Sequence, residues 1–131
     1  MAIRYTLLPY MYTLFYHAHT TGATVMRALS WEFPDDESLA EIDRQFMLGP
    51  AIMVAPVLDQ GANHTNATFP GGKDEKWYDW YTYEARTGSE GKLVDLKAPL
   101  GNIPVFIRGG NILALQVRSQ HLRSGEPLTG K

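Results

Sequence analysis

Phe46-Met47-Leu48-Gly49-Pro50-Ala51-Ile52-Met53-Val54-Ala55-Pro56-Val57 is the stretch of sequence that decides the fold. It contains two apolar runs separated by Gly49-Pro50, and each run is too short for a typical helix. Gly and Pro bracket both runs, which is typical of buried β-strands. The centre of the chain is therefore predicted to form two strands buried in a β-structure.

Short strands are also predicted on both sides of this stretch, and turn-forming stretches rich in Gly, Pro and polar residues separate them. Several short strands with turn signals between them indicate an antiparallel β-sandwich. The predicted strands cover residues 24–29, 66–70, 77–83, 93–96, 104–108 and 112–116.

The N-terminal segment, residues 2–20, has a different pattern. Its apolar residues recur at spacings of three and four, which predicts a helix that is apolar on nearly all sides. Pro9 is expected to kink or break this helix, and Gly22 to end it. Such a helix needs to be buried, so we expect it to belong to a larger body that is missing from this chain.

The chain therefore divides into three predicted parts. Residues 1–34 form the helical segment, 35–116 form the β-sandwich unit, and 117–131 form a loose tail in which the apolar pattern stops. The fold class is mainly β with an N-terminal helix.

Composition excludes several classes of protein. The 131 residues include 12 Lys and Arg against 14 Asp and Glu, a formal net charge of -2, which argues against a nucleic-acid partner. No apolar run reaches the roughly 18 residues that a membrane span needs. The chain has no cysteine, which excludes disulfides and thiolate chemistry.

Carboxylates are the first candidates for catalysis, because paired carboxylates carry out hydrolytic chemistry. Asp35 and Asp36 lie in a turn after Pro34, which is typical of a solvated loop. Asp43 precedes an apolar strand, where Asp commonly bonds local backbone. One hypothesis is an independent small hydrolase that uses Asp35, Asp36 or Asp43.

Histidine and glycine patterns predict no cofactor and no metal site. His17 and His19 are two apart, so a helix places them on different faces. Gly71-Gly72 and Gly109-Gly110 are bare pairs with no phosphate-loop context.

The aromatic cluster at residues 77–83 has two open interpretations. Five of its seven residues are aromatic. In one interpretation Trp77, Tyr78, Trp80 and Tyr81, with Tyr83, stack on sugars in a stand-alone carbohydrate-binding module. In the other, a strand places alternate rings in the core and the remaining rings against a neighbouring domain.

Two N-glycosylation sequons lie close together, at Asn63-His64-Thr65 and Asn66-Ala67-Thr68. They predict possible glycans at Asn63 and Asn66 on a surface that faces the secretory lumen.

Residues 4–14, Arg-Tyr-Thr-Leu-Leu-Pro-Tyr-Met-Tyr-Thr-Leu, resemble the R-Y-x-L-L-P-Y-x-Y-T-L stretch of glycoside hydrolase family 31. Further motifs of that family follow in order over about residues 3 to 116. Among them are Trp31-Glu32-Phe33-Pro34, the Ile42–Pro50 stretch, Trp77-Tyr78-Asp79-Trp80-Tyr81-Thr82 and Ile103–Leu113.

The resemblance implies a layout and a function. Residues 1–34 would be the last helix and closing segment of a catalytic (β/α)8 barrel. Residues 35–116 would be an incomplete proximal C-terminal β-sandwich. The chain would be a fragment of a secreted or lumenal retaining α-glucosidase, which hydrolyses terminal α-linked glucose without a cofactor. The two catalytic aspartates of the family, about 5 Å apart, lie on barrel strands upstream, so no catalytic residue is carried over to this chain.

The same resemblance fixes the expected partner. That partner is the missing catalytic barrel of the same polypeptide, and an α-glucoside would be met only through the parent enzyme. The chain alone is predicted to be structural and inactive.

Overall fold

The computed structural model describes residues 2–116. Three layers are stacked: a helical layer, a six-stranded antiparallel sheet and a two-stranded antiparallel sheet. The predicted tail, 117–131, lies outside the described residues. The helices are α1 (Ala2–Thr6), α2 (Leu8–Thr21) and α3 (Leu29–Glu32), with a 3₁₀ turn at Glu37–Leu39. The strands are β1 (Met26–Arg27), β2 (Phe46–Leu48), β3 (Ile52–Val54), β4 (His64–Ala67), β5 (Lys76–Asp79), β6 (Ala85–Thr87), β7 (Val94–Lys97) and β8 (Val105–Arg108).

The helical segment is broken where the sequence predicts it. Leu7 separates α1 from α2, and Pro9 lies in the first turn of α2, where a missing N–H leaves no intrahelical bond unmade. Gly22 ends α2 in the left-handed conformation, with φ of 73°, and donates its N–H to the carbonyl of Ala18. Both predictions are confirmed.

The large sheet has the strand order β1-β2-β3-β8-β5-β6, and every neighbouring pair is antiparallel. The turn at Gly49-Pro50 joins β2 to β3, so that Met47 lies opposite Met53. The two strands predicted from the apolar runs are therefore confirmed. The second sheet pairs β4 with β7.

Alternation along the strands gives the large sheet two apolar faces. One face packs against the second sheet and the loops around it, and the other packs against α1 and α2. The first core contains Leu29, Leu39, Met47, Met53, Ala55, Ala67, Phe69, Trp77, Leu96 and Phe106. The second contains Leu7, Tyr10, Leu14, Ala51, Ile52 and Val105.

Several predicted strand bounds are wrong. The strand predicted at 24–29 is only the two residues of β1, because Leu29 already begins α3. The strand predicted at 66–70 lies earlier, at β4, and no strand forms at 112–116. The strand predicted at 77–83 ends at Asp79, whose Oδ1 accepts the N–H groups of Tyr81 and Thr82 in a tight turn.

The core is continuous across the predicted boundary between residues 34 and 35. β1 is the edge strand of the large sheet, and Leu29 of α3 is fully buried in the first core. The assignment of residues 1–34 to the end of a barrel stays a prediction.

Candidate functional site

The most prominent surface feature is an unpartnered apolar face on the helical layer. One face of the helices, carrying Leu7, Tyr10 and Leu14, is buried on the sheet. Residues at helical spacing on another face are 43–79% exposed. We call this face the aromatic stripe. It consists of Tyr5, Leu8, Tyr12, Phe15 and Tyr16.

Tyr10 fixes the orientation of α2 on the sheet. Its phenol donates to the carbonyl of Leu48 at 2.8 Å, and the N–H of Ala51 donates to the phenol oxygen at 3.4 Å. Burial raises the pKa of Tyr10 above its ordinary value, although the Ala51 hydrogen bond acts in the other direction. With this face held, the aromatic stripe must point away from the sheet.

Gly49 allows the helix to lie this close to the β2–β3 turn. Its φ is +58°, and a Cβ there would be 2.5 Å from Leu14 Cδ2 and 2.6 Å from the Tyr10 hydroxyl. Only glycine meets both the backbone conformation and the space.

The edge of the large sheet carries a second exposed apolar region. Met26 of β1 and Trp31 of α3 are 61% and 67% exposed and line a shallow groove of about 360 Å³. Exposed apolar surface of this kind is typical of interaction surfaces and ligand-binding grooves.

An ion-pair network holds α3 to the sheet. Arg27 binds Glu32 at 2.7 Å, while Arg108 binds Glu75 at 2.8 Å and Glu32 at 3.5 Å. The Arg108 guanidinium also lies over the Phe33 ring, 4.5 Å from its centroid. These two glutamates are engaged by arginines, which suits a structural role.

The carboxylates predicted for the independent hydrolase do not form a catalytic arrangement with one another. Asp36 caps the 3₁₀ turn, where it accepts the N–H and hydroxyl of Ser38. Asp35 and Asp43 are exposed. His17 and His19 are exposed on α2, and within residues 2–116 no group of three His, Cys, Asp or Glu side chains could hold a metal ion.

One of the residues proposed to stack on sugars, Trp77 in the aromatic cluster, is not available for that role. Trp77 is completely buried and donates Nε1–H to the carbonyl of Pro70 at 3.0 Å, so it presents no face to a sugar. Trp80 is half-buried against the second core. Tyr78, Tyr81 and Tyr83 are 39%, 43% and 78% exposed.

The two sequons lie at the surface. Asn63 is exposed in the loop before β4, and Asn66 is exposed on β4 itself. Glycans at these positions stay a prediction. No helix among residues 2–116 is long and apolar enough to cross a membrane.

These features define a β-sandwich domain that carries an exposed apolar helix face. The family model "Glycosyl hydrolase family 31 C-terminal domain" matches residues 22–113, and the chain therefore belongs to glycosyl hydrolase family 31. The family resemblance drawn from the sequence is confirmed.

Curated relatives include two fungal enzymes. The chain is 60% identical over 117 residues to an alpha-glucosidase of Aspergillus niger, covering 88% of the chain and 12% of that protein. It is 56% identical over 117 residues to an alpha-glucosidase of Aspergillus oryzae, with the same coverage. The chain thus spans about an eighth of the length of these relatives.

Solved structures of the family share the fold. A dextranase of Flavobacterium johnsoniae is 33% identical with a TM-score of 0.77, covering 89% of this chain and 15% of that one. The alpha subunit of glucosidase II is 34% identical with a TM-score of 0.79, covering 87% of this chain and 12% of that one.

Proposed function

We propose that this chain is the C-terminal part of a longer retaining α-glucosidase, an enzyme that removes terminal α-linked glucose. In this proposal the catalytic barrel of the same polypeptide supplies both catalytic carboxylates. The chain itself closes the barrel with α1 and α2 and supports it with the sandwich. It needs no cofactor.

The observation that carries the proposal is the aromatic stripe. A domain that worked alone would leave five large apolar side chains, Tyr5 to Tyr16, facing water on one helix face. Burying a side chain of this size against a partner contributes about 1.5–3 kcal/mol. The small share of the relatives that this chain covers, 12%, supports a partner of the same polypeptide.

Charge on the helical segment also favours an apolar contact. In α2, Leu8–Thr21, no residue is Asp, Glu, Lys or Arg, and only the two histidines can carry charge. Packing this helix against a barrel would therefore bury no permanent charge. Burying an unpaired charge is the step that costs most when an interface forms. The relatives named alpha-glucosidase supply the reaction proposed for the whole enzyme.

We further propose that the enzyme is secreted or resides in the secretory-pathway lumen. The support is the pair of exposed sequons at Asn63 and Asn66.

The test is complementation between two polypeptides. The 131-residue chain is co-expressed with an Aspergillus niger alpha-glucosidase shortened to end before its matching segment, and hydrolysis of a chromogenic α-glucoside is measured. We expect activity from the pair and none from either part alone. Tyr12→Lys should abolish it, because the charge would be buried in the contact.

Thr13→Lys is the matched control, since Thr13 is exposed on the same helix but lies outside the aromatic stripe. Activity of the chain alone, or equal activity with Tyr12→Lys and Thr13→Lys, would contradict the proposal. Sequencing the native transcript through both ends of this reading frame gives an independent check. An upstream barrel with two catalytic aspartates is the expected result.

A further inference from the structure

A polar cleft of about 410 Å³ lies between the β5–β6 hairpin and β7. Its apolar floor includes Leu96 and Phe106, both buried. The volume falls in the range of about 300–1,000 Å³ typical of small-molecule sites. The aromatic stripe and the helical layer contribute no residue to it.

Arg86 of β6 lines the cleft, and one of its hydrogen-bond donors has no acceptor among the described residues. It lies opposite Trp77 on β5, so its side chain starts on the core-facing side of the sheet. Its Nε is buried, yet no acceptor within residues 2–116 takes its hydrogen. Buried donors are almost always paired, so the fold leaves this guanidinium short of an acceptor, and the same side chain lines the cleft.

The other charges in the cleft select against ions of either sign. Asp79, Glu84 and Asp95 line it together with Arg86 and Lys97. Asp79 Oδ1 already accepts the N–H groups of Tyr81 and Thr82, and Asp95 lies 2.9 Å from Nδ1 of His64, so two of the three carboxylates are engaged within the fold. Three carboxylates disfavour an anionic ligand, and two cations disfavour a metal ion. A hydroxyl both donates and accepts, so a ligand with several hydroxyls can bridge a guanidinium and a neighbouring carboxylate.

Tyr81 supplies a firm apolar surface at the edge of the cleft. The residue is 43% exposed, and its hydroxyl donates to the carbonyl of Ile103 at 3.2 Å. The ring is thereby tied to the loop before β8, so little rotamer freedom is lost when a ligand packs on it.

We propose that this cleft is a binding site for a neutral oligosaccharide, with Arg86 as hydrogen-bond donor, Glu84 as acceptor and Tyr81 as the packing surface. The site holds sugar without cleaving it. Binding in this cleft does not depend on the activity proposed above, because residues of the sandwich alone form the cleft.

The test is calorimetric titration of the full chain with maltotriose. The chain is fused to a soluble carrier that binds no glycan, because its aromatic stripe is exposed. We expect saturable binding with a dissociation constant near or below about 1 mM. Arg86→Met should weaken binding by about tenfold or more, which corresponds to about 1.4 kcal/mol.

Arg44→Met is the matched control, because Arg44 is an exposed arginine outside the cleft, paired with Asp59. Asn102 lies at an exposed position of the cleft wall. If Arg86→Met does not fold, Asn102→Ala replaces it in the titration, and this variant should also weaken binding. Circular dichroism melting identifies the variants that fold.

Three outcomes would overturn the inference. These are no saturation with maltotriose, equal affinity in the cleft and control variants, and tighter binding of the anionic trigalacturonate than of maltotriose. The complementation assay above is unaffected by any of them, so the two proposals fail separately.

Discussion

Gln45 pairs both ends of its side-chain amide with the backbone of Thr68. Its Oε1 accepts the N–H of Thr68 at 2.7 Å, and its Nε2 donates to the carbonyl of the same residue, also at 2.7 Å. Both residues are buried, at 5% and 1% exposure. The pairing ties the start of β2 to the segment that leaves β4, so one side chain helps to join the two sheets.

The first prediction follows from this pairing. Gln45→Met keeps a similar length but leaves a buried N–H and a buried carbonyl without partners, each costing about 1–3 kcal/mol. We expect the free energy of unfolding to fall by about 2–4 kcal/mol in urea titrations. Gln60→Met, at an exposed turn position, should change little. Equal stability of the two variants would mean that the amide pairing contributes nothing.

A second prediction concerns the ion-pair network of α3. Arg108→Met keeps part of the apolar stem but removes the guanidinium that pairs with Glu75 and lies over the Phe33 ring, and Arg108 is mostly buried. The expected loss of unfolding free energy is about 1.5–3 kcal/mol. Arg44→Met removes an exposed pair with Asp59 and should leave the urea midpoint unchanged. A network without energetic value would give the same midpoint in both variants.

Gly49 and Gly61 form a pair that separates backbone strain from crowding. Both have positive φ, of +58° and +74°, but only at Gly49 would a Cβ meet other atoms within 4 Å. Gly61→Ala should cost about 1–2 kcal/mol from the left-handed backbone alone. Gly49→Ala should cost about 1–3 kcal/mol more, because it pushes against Leu14 and Tyr10. The comparison of two unfolding curves measures the close approach of α2, and equal curves would exclude it.

The burial of Tyr10 is expected to make the chain less stable at high pH. Burial raises the pKa of its phenol, so the folded chain holds this proton more tightly than the unfolded chain does. The contribution is fully present below the unfolded pKa of about 10 and is lost as the pH rises through the folded pKa. Urea midpoints between about pH 8 and 11 should fall more steeply than in Tyr10→Phe. Tyr12→Phe, at an exposed position, should keep the steep fall.

The sequons give a fifth prediction. Expression of the chain through a yeast secretory pathway should add a glycan at Asn63, Asn66 or both, seen as a mass decrease after enzymatic deglycosylation. The double variant Asn63→Gln with Asn66→Gln should show no decrease. An unchanged mass in the unmutated chain would remove this support for a secretory location.

Sequence patterns predict an element well when the local residues alone decide it. The apolar runs beside Gly49-Pro50 could only be strands of that length, and Pro9 and Gly22 set the limits of α2. The strand β6 could not be predicted in this way, because Ala85–Thr87 is short and polar and is held by its pairing with β5. Residues 112–116 show the opposite case. They are apolar, but no strand pairs with them, and the N–H of Gln116 donates to Thr6 instead.

Side-chain sites were harder to predict than strands. Period-two alternation in the aromatic cluster implies that some rings are buried, but only the strand pairing decides that Trp77 is one of them. Gln45 and Arg86 have no signal in the sequence, because a single polar residue beside a strand reads as a surface position. Gln45 matters because it bonds to the backbone of Thr68, 23 positions away. Arg86 matters because it lies opposite Trp77, 9 positions away, on the neighbouring strand.

β8 is the last strand within residues 2–116 but lies between β3 and β5 in the large sheet. A ribosome therefore releases two halves of the large sheet, the strands β1 to β3 and the β5–β6 hairpin, before the strand that pairs with both. Translation delivers about 5–20 residues each second, so each half waits seconds with an open edge for the residues at 105–108. A premature stop before this point would leave two unpaired edges, and such a nascent product would be a target for chaperones and proteolysis.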